Sequence, residues 1–293
     1  MPRIDLKTRE AWLEHRTQGI GASDAPVILG ISPWKSALQL YAEKLGLMSV
    51  TQAETNYLLW GLRLEPVMAE AYHEETGRGT YSDGQYVVYT HPWHEWMFCT
   101  LDRKVIDREK GQGVLEFKTA ASFKHSEWKE GAPLMYQVQV QHQLAVTGLK
   151  WGAIAVLIGG NTFLHYDVER DDAFIERLIK TEQLFWERTC RGAAPDPDHS
   201  ASAAAALGSL YNSPVAQRIA LPASLVEFDA QRQRGIELVE EGELKQTEAE
   251  NHIKAALGNN VEGILPNGVV YTWKSQQRGA TGKPFRVLRR RSS

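Results

Sequence analysis

Cysteine is scarce in this chain of 293 residues: only Cys99 and Cys190 occur. Two thiols cannot build a disulfide framework, nor can they alone hold an iron–sulfur cluster, which takes four thiolates. A reducing, cytosolic setting is therefore expected. No run of about 18 apolar residues is present to cross a bilayer, and the opening MPRIDLKTREAWLEHR lacks the apolar core and small-residue cleavage site of a secretory signal. Both features point to a cytoplasmic protein without a membrane. Positive charge is also not in excess, since 33 Lys and Arg against 36 Asp and Glu give a net charge of -3. That balance excludes a protein that coats nucleic acid with a globally basic surface, so any polyanion must be gripped locally. Internal repeats are absent too.

What is present suits a globular protein with 43% hydrophobic residues, long enough for one large domain or two smaller ones. Ser36 caps an expected short helix that stops at Gly46, and a longer helix is expected from about Glu54 to Thr76 before Gly77. β-rich stretches follow at about 84–90, 96–106 and 113–119. A helix over 122–129, strands near 151–158 and 162–168 and a helix over 171–191 complete a first unit. This order predicts an α/β domain whose mixed central sheet is flanked by helices. The segment MYQVQVQHQ alternates with period two, as a strand does, but Pro133 before it and Gly148 after it favour a helix over 133–147. On that helix Gln139 and Gln143 share one face and Gln137 and Gln141 another, so one pair at most can enter a site.

Residues 193–202, rich in Pro, Ala, Asp and Ser, read as a linker between a first domain over 1–192 and an appendage over 203–293. The appendage is expected to hold one long helix over 221–257, or a helical hairpin, ended by Gly258, and a β-hairpin around Pro266-Asn267-Gly268. The basic residues Lys283, Arg286, Arg289, Arg290 and Arg291 read most simply as a solvated, disordered tail.

The chemistry concentrates in CTLDRKVIDREKGQGVLEFKTA, residues 99–120. With Asp102 on one expected strand and Glu116 and Lys118 on the next, residues two apart project together and the aspartate can meet them. Two carboxylates about 4 Å apart repel by roughly 4 kcal/mol at an effective dielectric near 20, a cost that a cation relieves. Mg²⁺ is the natural ion for oxygen ligands, with Mn²⁺ as a substitute. Taken alone, D…ExK equally describes an exposed hairpin carrying a Glu-Lys surface pair. The nine tryptophans, Trp34 and Trp60 among them, read more readily as core than as surfaces for stacking bases.

Other motifs shift that balance. RTQGIGASDAPVILGISPWKSALQLYAEKLG, WGLRLEP, the D…ExK pair and QVQHQLAVTG occur in that order. Together they resemble the λ-exonuclease-like, YqaJ-type viral recombinase branch of the PD-(D/E)xK nuclease superfamily. Leu101 departs from that pattern, standing where the superfamily name has proline. The resemblance implies a restriction-endonuclease-like core carrying a C-terminal long-helix and β-hairpin appendage. It implies that Asp102, Glu116 and the main-chain carbonyl of Phe117 hold one Mg²⁺, that Lys118 orients or activates the attacking water, and that Gln139 lies near that water. Glu65 would complete a second metal position; without the resemblance, Glu65 before Pro66 reads as an ordinary acid at a helix N-terminus. Arg16, Ser23 and Thr100 match positions that hold a 5′-terminal phosphate, for which Arg offers a forked donor. The implied protein is a Mg²⁺-dependent 5′-to-3′ exonuclease of phage or prophage origin in a bacterial cytoplasm. It would resect double-stranded DNA ends to 3′ tails for a single-strand annealing protein, with a trimeric ring around DNA as the implied assembly. The alternatives are a PD-(D/E)xK endonuclease, a Cas4-like nuclease, which the missing cysteines disfavour, and a non-catalytic DNA-end-binding adaptor.

Overall fold

Thr8 and Ser36 each turn a side-chain oxygen onto the main-chain N–H three residues later and start helices there, as expected of capping residues. The computed structural model describes residues 2–48, 56–278 and 283–291; residues 54 and 55, with which the second expected helix begins, lie outside them. In chain order the first elements are β1 (Arg3–Asp5), α1 (Arg9–His15), β2 (Ile20–Gly21), α2 (Ala25–Ile28) and α3 (Ala37–Lys44). Next come α4 (Asn56–Thr76), β3 (Gly79–Tyr81), β4 (Val87–Thr90), β5 (Met97–Thr100), β6 (Arg103–Asp107) and β7 (Gly111–Ala120). A 3₁₀ helix over Ser122–Trp128 leads to α5 (Leu134–Thr147), β8 (Trp151–Ile158), β9 (Thr162–Glu169), α6 (Asp172–Cys190) and α7 (Ala201–Leu210).

Five strands form the central sheet in the order β3-β6-β7-β8-β9, in which β7 and β8 run parallel and the other neighbours antiparallel. The sheet is therefore mixed, as expected. A second sheet, ordered β1-β4-β5-β2, was not foreseen. The single strand expected over 96–106 is in fact two, β5 in the second sheet and β6 in the central one. Asp102 sits in the break between them rather than on a strand.

Both faces of the central sheet are covered. On one, Val114, Ile154, Val156 and Ile158 pack against Val140 and Leu144 of α5. On the other, Leu115, Phe117, Ala153 and Ala155 pack against Met68, Ala69 and Tyr72 of α4. The α5 helix lies close because Gly152 leaves room: a Cβ there would come within 2.5 Å of a Val114 methyl and 2.9 Å of a Val140 methyl. Gly148, at φ 70°, ends α5 in the left-handed conformation. Helix was thus the right reading of the alternating glutamine segment.

The chain divides into units over Met1–Pro214 and Val215–Ser293. This differs from the linker placed at 193–202, and α7 supplies the reason. Its Ala203 and Ala206 are buried with Leu38, Leu40 and Tyr41 of α3, and Ser202 bonds Ser36 and Gln39. Small side chains let the two helices approach, so the end of the expected linker and the start of the expected appendage dock on the first unit.

The second unit holds α8 (Leu225–Leu257) and a three-stranded antiparallel sheet of β10 (Glu262–Ile264), β11 (Val270–Gln276) and β12 (Phe285–Arg291). Here the reading of a disordered basic tail fails. Val287 and Leu288 pair across from Lys274 and Trp273, and the Arg286 guanidinium lies 3.6 Å from the Trp273 ring centroid while donating to the carbonyls of Trp273, Gly258 and Asn260. No helix among the described residues is long and apolar enough to cross a membrane.

Candidate functional site

Alternation along β7 sorts its side chains between the two covered faces. Leu115 and Phe117 enter the core under α4, while Val114 enters the core under α5 and Glu116 bonds side chains of that helix. A buried carboxylate must be matched by donors, and Glu116 has three. Lys118 Nζ lies 2.5 Å from its Oε1, Gln139 Nε2 donates to the same oxygen at 2.6 Å, and Gln143 Nε2 donates to Oε2 at 2.7 Å. Arg103 of β6 pairs with Leu115, which brings Asp102, one residue earlier, opposite Glu116. The Asp102 carboxylate accepts the Phe117 N–H at 2.8 Å.

Three acids crowd this corner. Burial, and then the negative charge of Glu116, push the Asp102 carboxyl well above the usual carboxylate range. Burial and Glu116 also push Glu65 up to about 7, against the pull of Arg103 and Lys118. Burial opposes a charge on Lys118, but Glu116 and Asp102 outweigh it and hold the ammonium above its ordinary range. Lys118 is thus a fixed cation and hydrogen-bond donor at neutral pH. Glu65 lies in the middle of α4, nine residues after its first described residue, with Pro66 accommodated inside the helix. It is therefore not an acid at a helix N-terminus.

No group of three or more His, Cys, Asp or Glu side chains among the described residues forms a ready-made metal cluster. A cation here would be shared between two carboxylates and main-chain or solvent oxygen. The donor set fits that demand: it consists of oxygens alone, suited to a hard divalent ion, and its carboxylates repel one another. Gln143 Oε1 is also buried beside Glu116 without a hydrogen-bond partner among the described residues.

A second cluster lies on the loops before α2. Arg16 Nη2 donates to Ser23 Oγ at 3.0 Å and lies 3.4 Å from Asp24 Oδ1, with its guanidinium 4.9 Å from the Trp12 ring centroid. The Trp12 indole N–H in turn donates to Thr100 Oγ1 at 3.0 Å. Arg16 and its partner Ser23 are therefore joined to Thr100 through Trp12. Underneath, the buried Asp24 carboxylate also takes Lys44 Nζ at 2.6 Å and the Gly21 N–H at 3.0 Å. Burial opposes its charge, yet Lys44 and Arg16 hold its carboxyl far below the usual range.

Sequence reasoning missed Gln143 and Arg103 as site residues. The first was legible, since it shares a helical face with Gln139. Arg103, whose Nε is buried without a hydrogen-bond partner among the described residues, carries no signal beyond its place beside Asp102. Tryptophans 34 and 60, read as core, are instead 65% and 55% exposed.

The YqaJ-like viral recombinase domain matches residues 11–150, which contain both clusters. The chain is also 32% identical over 265 residues to the uncharacterized protein YqaJ of Bacillus subtilis (strain 168), a match covering 89% of this chain and 82% of that protein. This chain belongs to the YqaJ family. Among solved structures, the YqaJ-family fold described here is similar to an alkaline exonuclease (LHK-Exo) from Laribacter hongkongensis. The TM-score is 0.52 at 23% identity, covering 63% of this chain and 94% of that one. The same exonuclease in complex with dAMP gives a TM-score of 0.51 at 22% identity, with the same coverage. The architecture of this YqaJ-family member is accordingly a restriction-endonuclease-like α/β core.

Proposed function

We propose that this protein is a divalent-metal-dependent exonuclease that resects double-stranded DNA ends from 5′ to 3′. The observation that carries the reading is the corner in which half-buried Asp102 and the cationic Lys118 meet around buried Glu116. An exposed Glu-Lys surface pair would need neither two glutamines on its carboxylate nor a second acid opposite. The similarity to an alkaline exonuclease supports the same reading. An adaptor module would have no use for mutually repelling carboxylates.

In this scheme Asp102, Glu116 and the Phe117 carbonyl hold Mg²⁺ or Mn²⁺, with Glu65 available to a second ion. When bound, the cation polarises the phosphate and acidifies water. Gln139 and Gln143 fix the Glu116 carboxylate so that it does not follow the substrate. Lys118 donates to charge developing on the phosphoryl oxygens, since a lysine held in its charged form serves as an electrostatic clamp rather than a base. Arg16, Ser23 and Thr100 take the 5′-phosphate, with Arg16 exchanging its long contact to Asp24 for the incoming anion. The products are 5′-mononucleotides and a 3′ tail, the form an annealing protein takes up, and a trimeric ring would keep a mildly acidic chain on DNA.

The test is digestion of linear duplexes labelled at one end, with and without a 5′-phosphate, in Mg²⁺ and in EDTA. Release from the phosphorylated 5′ end in Mg²⁺ alone is expected. Losing the charge-assisted Arg16 contact costs about 1.5–3 kcal/mol. Arg16→Ala should therefore fall roughly tenfold to hundredfold on phosphorylated ends and lose its preference for them. Equal wild-type rates on both kinds of end, or release from the 3′ end first, would sink the polarity.

The second unit is separable in this reading. A chain ending at Pro214 keeps α7 on α3 and should retain soluble, metal-dependent digestion. A chain ending at Gly192 strips Ala203 and Ala206 from the α3 core and should melt at lower temperature. Equal melting of the two truncations would refute this assignment of α7.

A further inference from the structure

Four aromatic rings contact one another in succession beside Lys118, from half-buried Tyr166 through buried Trp128 to exposed Trp34. Tyr166 and Trp128 stack with centroids 6.3 Å apart and planes at 25°, and Trp128 and Tyr136 at 5.3 Å and 19°. Trp34 follows Tyr136 at 6.5 Å and 35°. The inner part is structural: Trp128 is 2% exposed and its carbonyl accepts the Tyr166 hydroxyl. The outer end is not, for Trp34 is 65% exposed. Lys118 Nζ lies 5.1 Å from the centroid of Tyr136, the ring next to Trp34.

The loop that carries Trp34 is pinned on both sides. Before the ring, the Trp34 N–H reaches Ser32 Oγ, and Ile31 and Ser32 donate to the Pro26 carbonyl. After it, Lys35 pairs with Glu43 at 2.6 Å, and the Ser36 N–H donates to Ser202 Oγ. Held in place by its flanks and edged by Tyr136, the ring keeps most of its surface open to a ligand. Its flat, electron-rich face matches a nucleobase, which stacks irrespective of sequence, as an exonuclease requires.

We propose that Trp34 is the platform on which a base of the strand entering the Asp102, Glu116 and Lys118 site stacks, setting where that nucleotide lies relative to Lys118. The proposal rests on the nuclease reading. Trp34 is a positioning residue: it touches the base and not the reacting phosphate.

The experiment is a cycle of wild type, Trp34→Ala and Trp34→Phe on 5′-phosphorylated duplexes. The substrates are either intact or carry one abasic site at each of the terminal positions in turn. Stacking on one base gives an expected loss of about five- to hundredfold in kcat/KM for Trp34→Ala on intact DNA, with Trp34→Phe retaining most of the activity. At one position the abasic site should cost the wild type a similar factor and cost Trp34→Ala nothing more. A ring that only supported the loop would give losses that add at every position, and that outcome overturns the proposal. Wild-type rates for Trp34→Ala overturn it as well. If wild-type protein digests no duplex with Mg²⁺, the nuclease reading fails first. The same cycle read by fluorescence anisotropy of the labelled duplexes then decides whether Trp34 stacks on a base, and additive losses in that binding cycle overturn the proposal too.

Discussion

Asp102→Asn is expected to abolish activity and to stabilise the metal-free protein. The half-buried carboxylate faces Glu116, and its raised pKa means that folding disfavours its charge. Asparagine keeps an oxygen for the Phe117 N–H while removing the repulsion, so the thermal midpoint should rise, by roughly 2–4 °C for each kcal/mol relieved. Digestion should fall by about a hundredfold or more, the scale of losing one group of a preorganised electrostatic site. Lys118→Ala should be equally inactive but move stability the other way, because Glu116 loses the cation 2.5 Å from its oxygen. Added Mg²⁺ should raise the midpoint of the wild type and not that of Asp102→Asn. Melting curves with and without Mg²⁺, beside a digestion assay, read all of this. An Asp102→Asn protein that digests DNA at the wild-type rate would end the site assignment.

The second large effect lies away from the site. His142 Nδ1 is 2.8 Å from Glu182 Oε1 and its Nε2 is 2.9 Å from the Phe98 carbonyl, with both side chains fully buried. An imidazole facing a carboxylate and a carbonyl meets both only by donating from both nitrogens, in its charged form. Burial opposes that charge, but Glu182 and the two hydrogen bonds carry the pKa above 6.5. The folded value is thus above the unfolded one. The stabilisation is present in full below about pH 6.5 and is lost as pH rises through the folded value. Glu182→Ala leaves the histidine unpaired and should cost about 3–5 kcal/mol near pH 6.5, with a smaller loss at alkaline pH. Urea denaturation at several pH values measures this. A cost that does not shrink as pH rises would mean that the pair is neutral.

The residues that hold the site were largely legible, because they obey local geometry. The i, i+4 spacing of Gln139 and Gln143 put both on one face, the two-residue step from Glu116 to Lys118 put both on one side of a strand, and Ser36 capped the helix it precedes. What escaped depends on partners distant in the chain. MFCT and RKVID both read as β, and only their pairing, with β4 and with β7, splits them into different sheets around Asp102. Ala203 and Ala206 of α7 look like the start of an appendage until α3 is beside them. FRVLRRR reads as a charged tail until Trp273 and its neighbours on β11 supply the ladder. Trp34 escaped because a large apolar ring ordinarily profits from burial, and its exposure is set by the loop that holds it.

The parallel pairing of β7 with β8 governs when the site can come into being. Parallel neighbours cannot be closed by a tight turn, and here the chain completes the 3₁₀ helix and α5 between the two strands. That crossover is the segment that delivers Gln139 and Gln143 to Glu116. Closing so long an excursion costs entropy before any contact repays it. During vectorial synthesis, a nascent chain that stops short of Ile158 already contains Asp102, Glu116 and Lys118, yet lacks the strand that would hold them in place. The hairpin of β6 and β7 can set Asp102 opposite Glu116 early, but the glutamines that hold Glu116 join the candidate site only when the crossover closes.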